Sequence, residues 1–226
     1  MSWVNFPENS QIQWTLDKTN LKDTGGNALA ANVVQVFTTT APPPALAWAD
    51  TGQTQCSSGA AGDSTMAACS QAITGQDGDY ADKPQARSFT ASSPSGNDIV
   101  TDNVTGLVWK KCSEGLSGST CATGTATNMT WYAAMNQCAA LNAASYAGRS
   151  DWRLPTSMEL ETLPNLGTPL PAIDAAYFPA TVSNFYWSSS TYASNVDVGD
   201  AWDVNFFGGL SNLSSKTTNY YVRCVA

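Results

Sequence analysis

The clearest periodicity lies in the second half of the chain. In TWYAAMNQCAALN, at 130–142, Trp131, Ala134, Met135, Cys138 and Leu141 recur at helical spacing and form one apolar stripe. This predicts a helix with Thr130 at its N-cap. A second helix start follows Pro155, where Thr156 and Glu159 form a T-x-x-E capping box and Leu160 and Leu163 extend an apolar face. Period two governs AWDVNF. Trp202, Val204 and Phe206 alternate with Asp203, Asn205 and Phe207, so the first three are expected in the core and the second three toward solvent. Trp187 and Tyr221 are expected to point inward as well. Shorter β-like runs occur at Asn32–Thr39, Ile99–Thr101, Leu107–Lys110, Phe185–Ser189 and Tyr220–Val225. APPPA at 41–45 reads as a stiff spacer. Residues 46–98 are rich in Gly, Ser, Asp and Pro without a sustained period, and predict ordered loops around Trp48, Tyr80 and Phe89.

Composition narrows the function classes. Of 226 residues, 42% are apolar and 10% aromatic, too many for a disordered chain. Ten basic against eighteen acidic residues give a net charge of −8, with no basic patch for nucleic acid or for an anionic membrane surface. No apolar run is long enough to span a bilayer. The chain contains no histidine. A Ser-His-Asp triad, a Cys-His dyad and a His-based zinc site are therefore excluded. No enzyme activity and no cofactor are expected.

Six cysteines occur, at 56, 69, 112, 121, 138 and 224, none in a C-x-x-C pair. Cys56 and Cys69 bracket a small, polar, Gly-bearing stretch, and so do Cys112 and Cys121. Local pairing of these two sets leaves Cys138 with Cys224. Six buried thiols in a reducing compartment are the alternative; three bridges imply an oxidising one. The N-terminal MSWVNFPENSQIQW lacks the basic and apolar regions of a signal peptide. An exported protein is accordingly expected, with any export signal or lipid anchor lying outside this chain.

Several motifs occur together and in order: TGQDGDY (74–80), DNVTGLVW (102–109), TWYAAMNQC (130–138), DWRLPTSMEL (151–160), YWSSS (186–190), Ala201-Trp202 with Val204 and Phe206, Lys216, and YYVRCV (220–225). Over residues 74–226 the chain resembles the bacterial Lcl C-terminal domain family, found at the ends of collagen-like adhesins. The resemblance implies an α+β, C-type lectin fold: two helices, short antiparallel sheets and long loops. Here a small β/loop segment, residues 1–73, would precede it and pack on it. It also implies a bridge from the first helix to the last strand, which Cys138 and Cys224 would supply. Formylglycine-generating enzymes share this fold, so a secreted enzyme of that type is one alternative. Cys138 on an apolar helical face and Cys224 in an apolar strand favour a structural bridge over a reactive thiol. The Glu-Pro-Asn, Gln-Pro-Asp and Trp-Asn-Asp motifs of calcium-dependent sugar binding are absent; Trp202-Asp203-Val204 departs from the last. Metal-free binding is expected.

Residues 194–218 keep a frame of Ala201, Trp202, Phe206, Gly209 and Lys216. Many residues between them are reachable from an asparagine codon by changes at its two adenines. That pattern resembles proteins diversified at a C-terminal variable region by a retroelement. The expected function is ligand binding at the cell surface through residues 194–215. Its candidate contacts are Tyr192, Asn195, Asp197, Asp200, Asp203, Asn205, Phe207, Leu210, Asn212, Leu213 and Ser214. The ligand would be a protein or glycan, the oligomeric state monomer or trimer. The alternative is an adhesin-type glycan-binding or trimerising module.

Overall fold

A computed structural model of the chain describes residues 48–57, 66–69, 75–168, 170–193 and 199–226, together with two strands at 11–16 and 33–38. The chain divides into two units, Met1–Leu46 and Ala47–Ala226. In the first, β1 (Gln11–Leu16) and β2 (Val33–Thr38) pair antiparallel, with Gln11 opposite Thr38 and Leu16 opposite Val33. The β-branched run expected to form a strand is β2. The spacer at 41–45 lies outside the described residues.

Residues 48–57 and 66–69, assigned from sequence to the N-terminal segment, belong to the second unit. The Asp50 amide donates to the Gln85 carbonyl at 2.9 Å, and the Leu166 amide to the Thr51 carbonyl at 2.8 Å. This region holds a small hairpin, β3 (Gln55–Ser57) with β4 (Met66–Ala68), closed by the Cys56–Cys69 bridge. Of the aromatics expected to anchor these loops, only Phe89 is in the core, while Trp48 and Tyr80 are exposed.

The rest is an α+β arrangement. Strands β5 (Phe89–Ser92), β6 (Ile99–Asp102) and β7 (Val108–Lys110) form an antiparallel meander. A two-stranded ribbon follows, β8 (Leu116–Ser117) with β9 (Thr123–Gly124), beside the Cys112–Cys121 bridge. The main sheet has five strands. In spatial order they are β10 (Asn128–Met129), β14 (Tyr220–Tyr221), β11 (Phe185–Thr191), β12 (Asp200–Asn205) and β13 (Leu210–Ser215). Only the β11–β14 pair is parallel.

Helix α1 spans Trp131–Ala143 and buries the stripe that predicts it: Trp131, Ala134, Cys138 and Leu141. Thr130 is its N-cap residue, but the Thr130 side chain makes no capping bond. Helix α2 is a single turn, Ser157–Leu160, started by the predicted box. The Thr156 hydroxyl accepts from the Glu159 amide at 3.3 Å, and the Glu159 carboxylate accepts from the Thr156 amide at 2.8 Å. Arg153 holds the same carboxylate at 2.6 Å. Leu160 and the following Leu163 are fully buried.

Adjacent residues of a strand face opposite ways, so the main sheet separates two cores. Trp187 and Ala201 pack with α1 and Trp152 on one face. Tyr186, Val204 and Phe206 pack with Leu160, Leu163 and Phe178 on the other. The third bridge, Cys138–Cys224, ties α1 to the C-terminal segment. That segment is shorter as a strand than expected. After Tyr221 it leaves the main sheet, and Val225 bridges to Trp109 and Arg153. This is a C-type-lectin-like fold, as the resemblance implies.

Candidate functional site

Residues 200–215 of the expected binding segment form the β12–β13 hairpin at one end of the main sheet. Asn205 shapes its turn: the Asn205 side-chain oxygen accepts from the Phe207 amide at 2.8 Å, and the Asn205 carbonyl accepts from the Gly209 amide at 2.7 Å. Gly209 has φ +78, and a Cβ there would lie 2.5 Å from the Leu166 side chain. Only glycine fits this corner without displacing its neighbours.

Among the described residues no strand pairs with the outer edge of β13. Around this edge stand the most exposed apolar side chains among the segment's described residues: Phe207 at 60%, Leu210 at 67% and Leu213 at 39%. Tyr192 is half-buried, its ring edge-on to Trp202 at 6.2 Å. Asp200, Asn205, Asn212 and Ser214 are half-buried. Asn195 and Asp197 lie outside the described residues.

Cross-strand partners share a face, and the register divides the candidates. Leu213 lies opposite Trp202. Asn212 lies opposite Asp203, Leu210 opposite Asn205, and Ser214 opposite Ala201, all on the other face. Beside this second group runs an aromatic row: Phe185 stacks on Tyr220 at 4.9 Å, and Tyr220 contacts Trp187 at 4.8 Å. The hairpin thus presents two faces and an edge rather than one continuous surface.

Two sequence expectations are overturned here. Asp203 is fully buried rather than exposed, and Trp202, expected in the core, is only half-buried. The reason is that β12 is an inner strand covered on both faces, so alternation there separates one core from the other instead of core from solvent. Trp202 sits beside exposed Leu213, near the end of the sheet, and loses part of its cover. Asp203 lies between Trp187 and Asn212.

Neither carboxylate oxygen of Asp203 finds a hydrogen-bond partner among the described residues. Burial pushes its pKa up from 3.8 to about 6; the Ser214 hydroxyl lies near enough to offset part of the shift without making a well-formed hydrogen bond. An acid whose folded pKa lies above its unfolded one stabilises the fold fully below the unfolded value. That stability is lost as pH rises through the folded pKa. A shift of this size is about 3 kcal/mol by pH 7. Asp203→Asn should therefore match the parent near pH 3 and exceed it by about 2–3 kcal/mol at pH 7. Urea denaturation across this range checks it; parallel curves for the two proteins would contradict the buried charge.

The opposite end of the hairpin borders a groove that no sequence pattern marks. It has a volume of about 330 Å³ and is lined by Trp48, Arg87, Glu161, Pro164, Leu166 and Gly209, among others. The Arg87 guanidinium fixes its walls. It donates to Asp174 at 2.9 Å and to the carbonyls of Asp50, Thr162, Leu163 and Pro164 at 2.8–3.4 Å. These residues come from loops far apart in sequence, so neither periodicity nor spacing could have joined them.

Asp79 lies within 4.8 Å of the sulfurs of Cys56 and Cys69. Those sulfurs form a disulfide and offer no thiolate, while Asp79 accepts from the Gly75 and Gln76 amides at 2.7 and 3.1 Å. All six cysteines are paired as local pairing of the first four predicts. Disulfides accord with an exported protein. Among the described residues no helix is long and apolar enough to cross a membrane.

No curated protein matches the chain. The family model for the Lcl C-terminal domain matches residues 98–226, more than half of it. That span holds both helices, the main sheet and the helix-to-terminus bridge, and the chain belongs to the Lcl C-terminal domain family.

Proposed function

We propose that this protein is a surface-displayed binding protein whose β12–β13 hairpin meets the ligand and performs no chemistry. The observation carrying this reading is the contrast along the hairpin. Phe206 is fully buried, whereas Phe207, Leu210 and Leu213 hold apolar surface in water. Apolar side chains gathered at an open sheet edge are costly to leave uncovered and suit a partner. The preferred ligand is a protein. Asp200 and Glu161 border the hairpin, the chain carries a net charge of −8, and Lys216 is buried under the Trp131 ring at 4.5 Å. A sulfated or otherwise anionic glycan would find little attraction there. The pairing of all six cysteines weighs against thiol chemistry.

The many residues of the segment reachable from an asparagine codon by changes at its adenines further suggest diversification by a retroelement. Sequencing the adjoining DNA tests this part: a reverse transcriptase gene and a near-copy of the 3′ end differing at adenines are expected, and absence of both removes it. The binding reading has its own test. Libraries randomised at Tyr192, Phe207, Leu210 and Leu213 are selected against a panel of purified proteins. Variants with different targets and stabilities within about 0.5 kcal/mol of the parent are expected. Recovery of unfolded variants alone would defeat it.

A further inference from the structure

We propose that the groove between Trp48 and Glu161 takes the guanidinium of an arginine side chain carried by the protein that the hairpin binds. This rests on the hairpin reading and names the chemistry of its ligand.

The groove offers acceptors rather than donors. Arg87, the cation in its lining, turns its guanidinium onto Asp174 and four carbonyls. An incoming anion therefore meets a cation that is largely buried and already balanced by the Asp174 carboxylate. Glu161 is exposed, and Ser211 steadies its carboxylate, donating to Oε1 at 2.6 Å. A carboxylate holding one donor retains capacity for others. The groove's aromatic surface is the indole of Trp48, 45% exposed. An exposed indole and a carboxylate in one groove suit a cation that is flat. A guanidinium can lie on the indole while donating to the carboxylate, which a compact ammonium does less well. Pro164 and Leu166 supply apolar wall for the aliphatic stem of such a side chain.

The walls are already set. Arg87 ties the 50 and 162–164 loops together, and Gly209 lets the hairpin turn close on Leu166 and Pro164. A ligand entering here would not have to order these loops, which favours affinity. Gly209 belongs to the same turn as exposed Phe207, so a partner covering the hairpin would reach the groove without a break.

The test is NMR titration of the full chain with Nα-acetyl-L-arginine amide. Nα-acetyl-L-citrulline amide, the neutral isostere, and methyl β-D-galactoside serve as comparators. Saturable movement of one indole N–H signal is expected, assigned by its absence in Trp48→Phe. Citrulline should bind about tenfold more weakly, as should arginine to Glu161→Gln, the loss expected when a charged hydrogen bond is removed. Added salt should weaken arginine binding. Melting midpoints of Trp48→Phe and Glu161→Gln confirm that both remain folded. Equal binding of arginine and citrulline, tighter binding of the galactoside, or no saturation would overturn the proposal. Failure here with hairpin-dependent capture intact removes the groove and leaves the hairpin reading. Loss of both removes the shared premise.

Discussion

Removing the Cys138–Cys224 bridge is expected to lower stability by about 4–5 kcal/mol, from the chain-entropy cost of the long loop it closes. The two residues are 86 apart in sequence, and both are fully buried. One sits on the buried stripe of α1; the other precedes Val225, which bridges to Trp109 and Arg153. Without the bridge, the unfolded chain regains the freedom that this closure denies it. The Cys112–Cys121 bridge spans only 9 positions, so its loss should cost less, under about 3 kcal/mol. Urea denaturation of the Cys138→Ala/Cys224→Ala and Cys112→Ala/Cys121→Ala variants tests both the size and the order of the losses. Equal losses would show that loop length does not govern them. An unchanged midpoint for the first variant would remove the bridge and the argument for an oxidising compartment that rests on it.

The features readable from sequence are those fixed by neighbours in the chain. The stripe from Trp131 to Leu141 and the Thr156–Glu159 box depend on residues three or four apart, and both elements form where expected. The two short disulfides follow from the loops between their cysteines. The errors arise where the environment is set from a distance. Alternation across Trp202 and Asp203 reveals two opposed faces but cannot tell which meets water, because that depends on β13 lying outside β12 and on the packing beneath. By alternation alone Asp203 reads as a display residue for this reason. The groove beside Glu161 is hidden more completely, since Trp48, Arg87 and Gly209 meet only through the folding of the loops between them.

Phe206 and Phe207 give the sharpest test of display, because they are chemically identical neighbours in different surroundings. Phe206 is fully buried, edge-on to Tyr186 at 5.0 Å, in the core with Phe178 and Leu160. Phe206→Ala should cost about 3–5 kcal/mol, the lost transfer energy plus the cavity left behind. Phe207 stands 60% exposed at the tip of the turn. Its conformation is held by the Asn205 side chain through its backbone amide, which the substitution leaves in place. Phe207→Ala should change stability by no more than about 0.5 kcal/mol. A ligand selected on the parent hairpin should nevertheless bind it measurably less well, since an exposed aromatic is a common anchor of a binding surface. Denaturation and binding measured on the same two variants separate the roles. If Phe207→Ala destabilises as much as Phe206→Ala, the turn belongs to the core and the hairpin loses the side chain that most clearly marks it as a binding edge. If Phe207→Ala is silent in both measurements, ligand contact must lie elsewhere on the hairpin, with Leu210 and Leu213 the next positions to test.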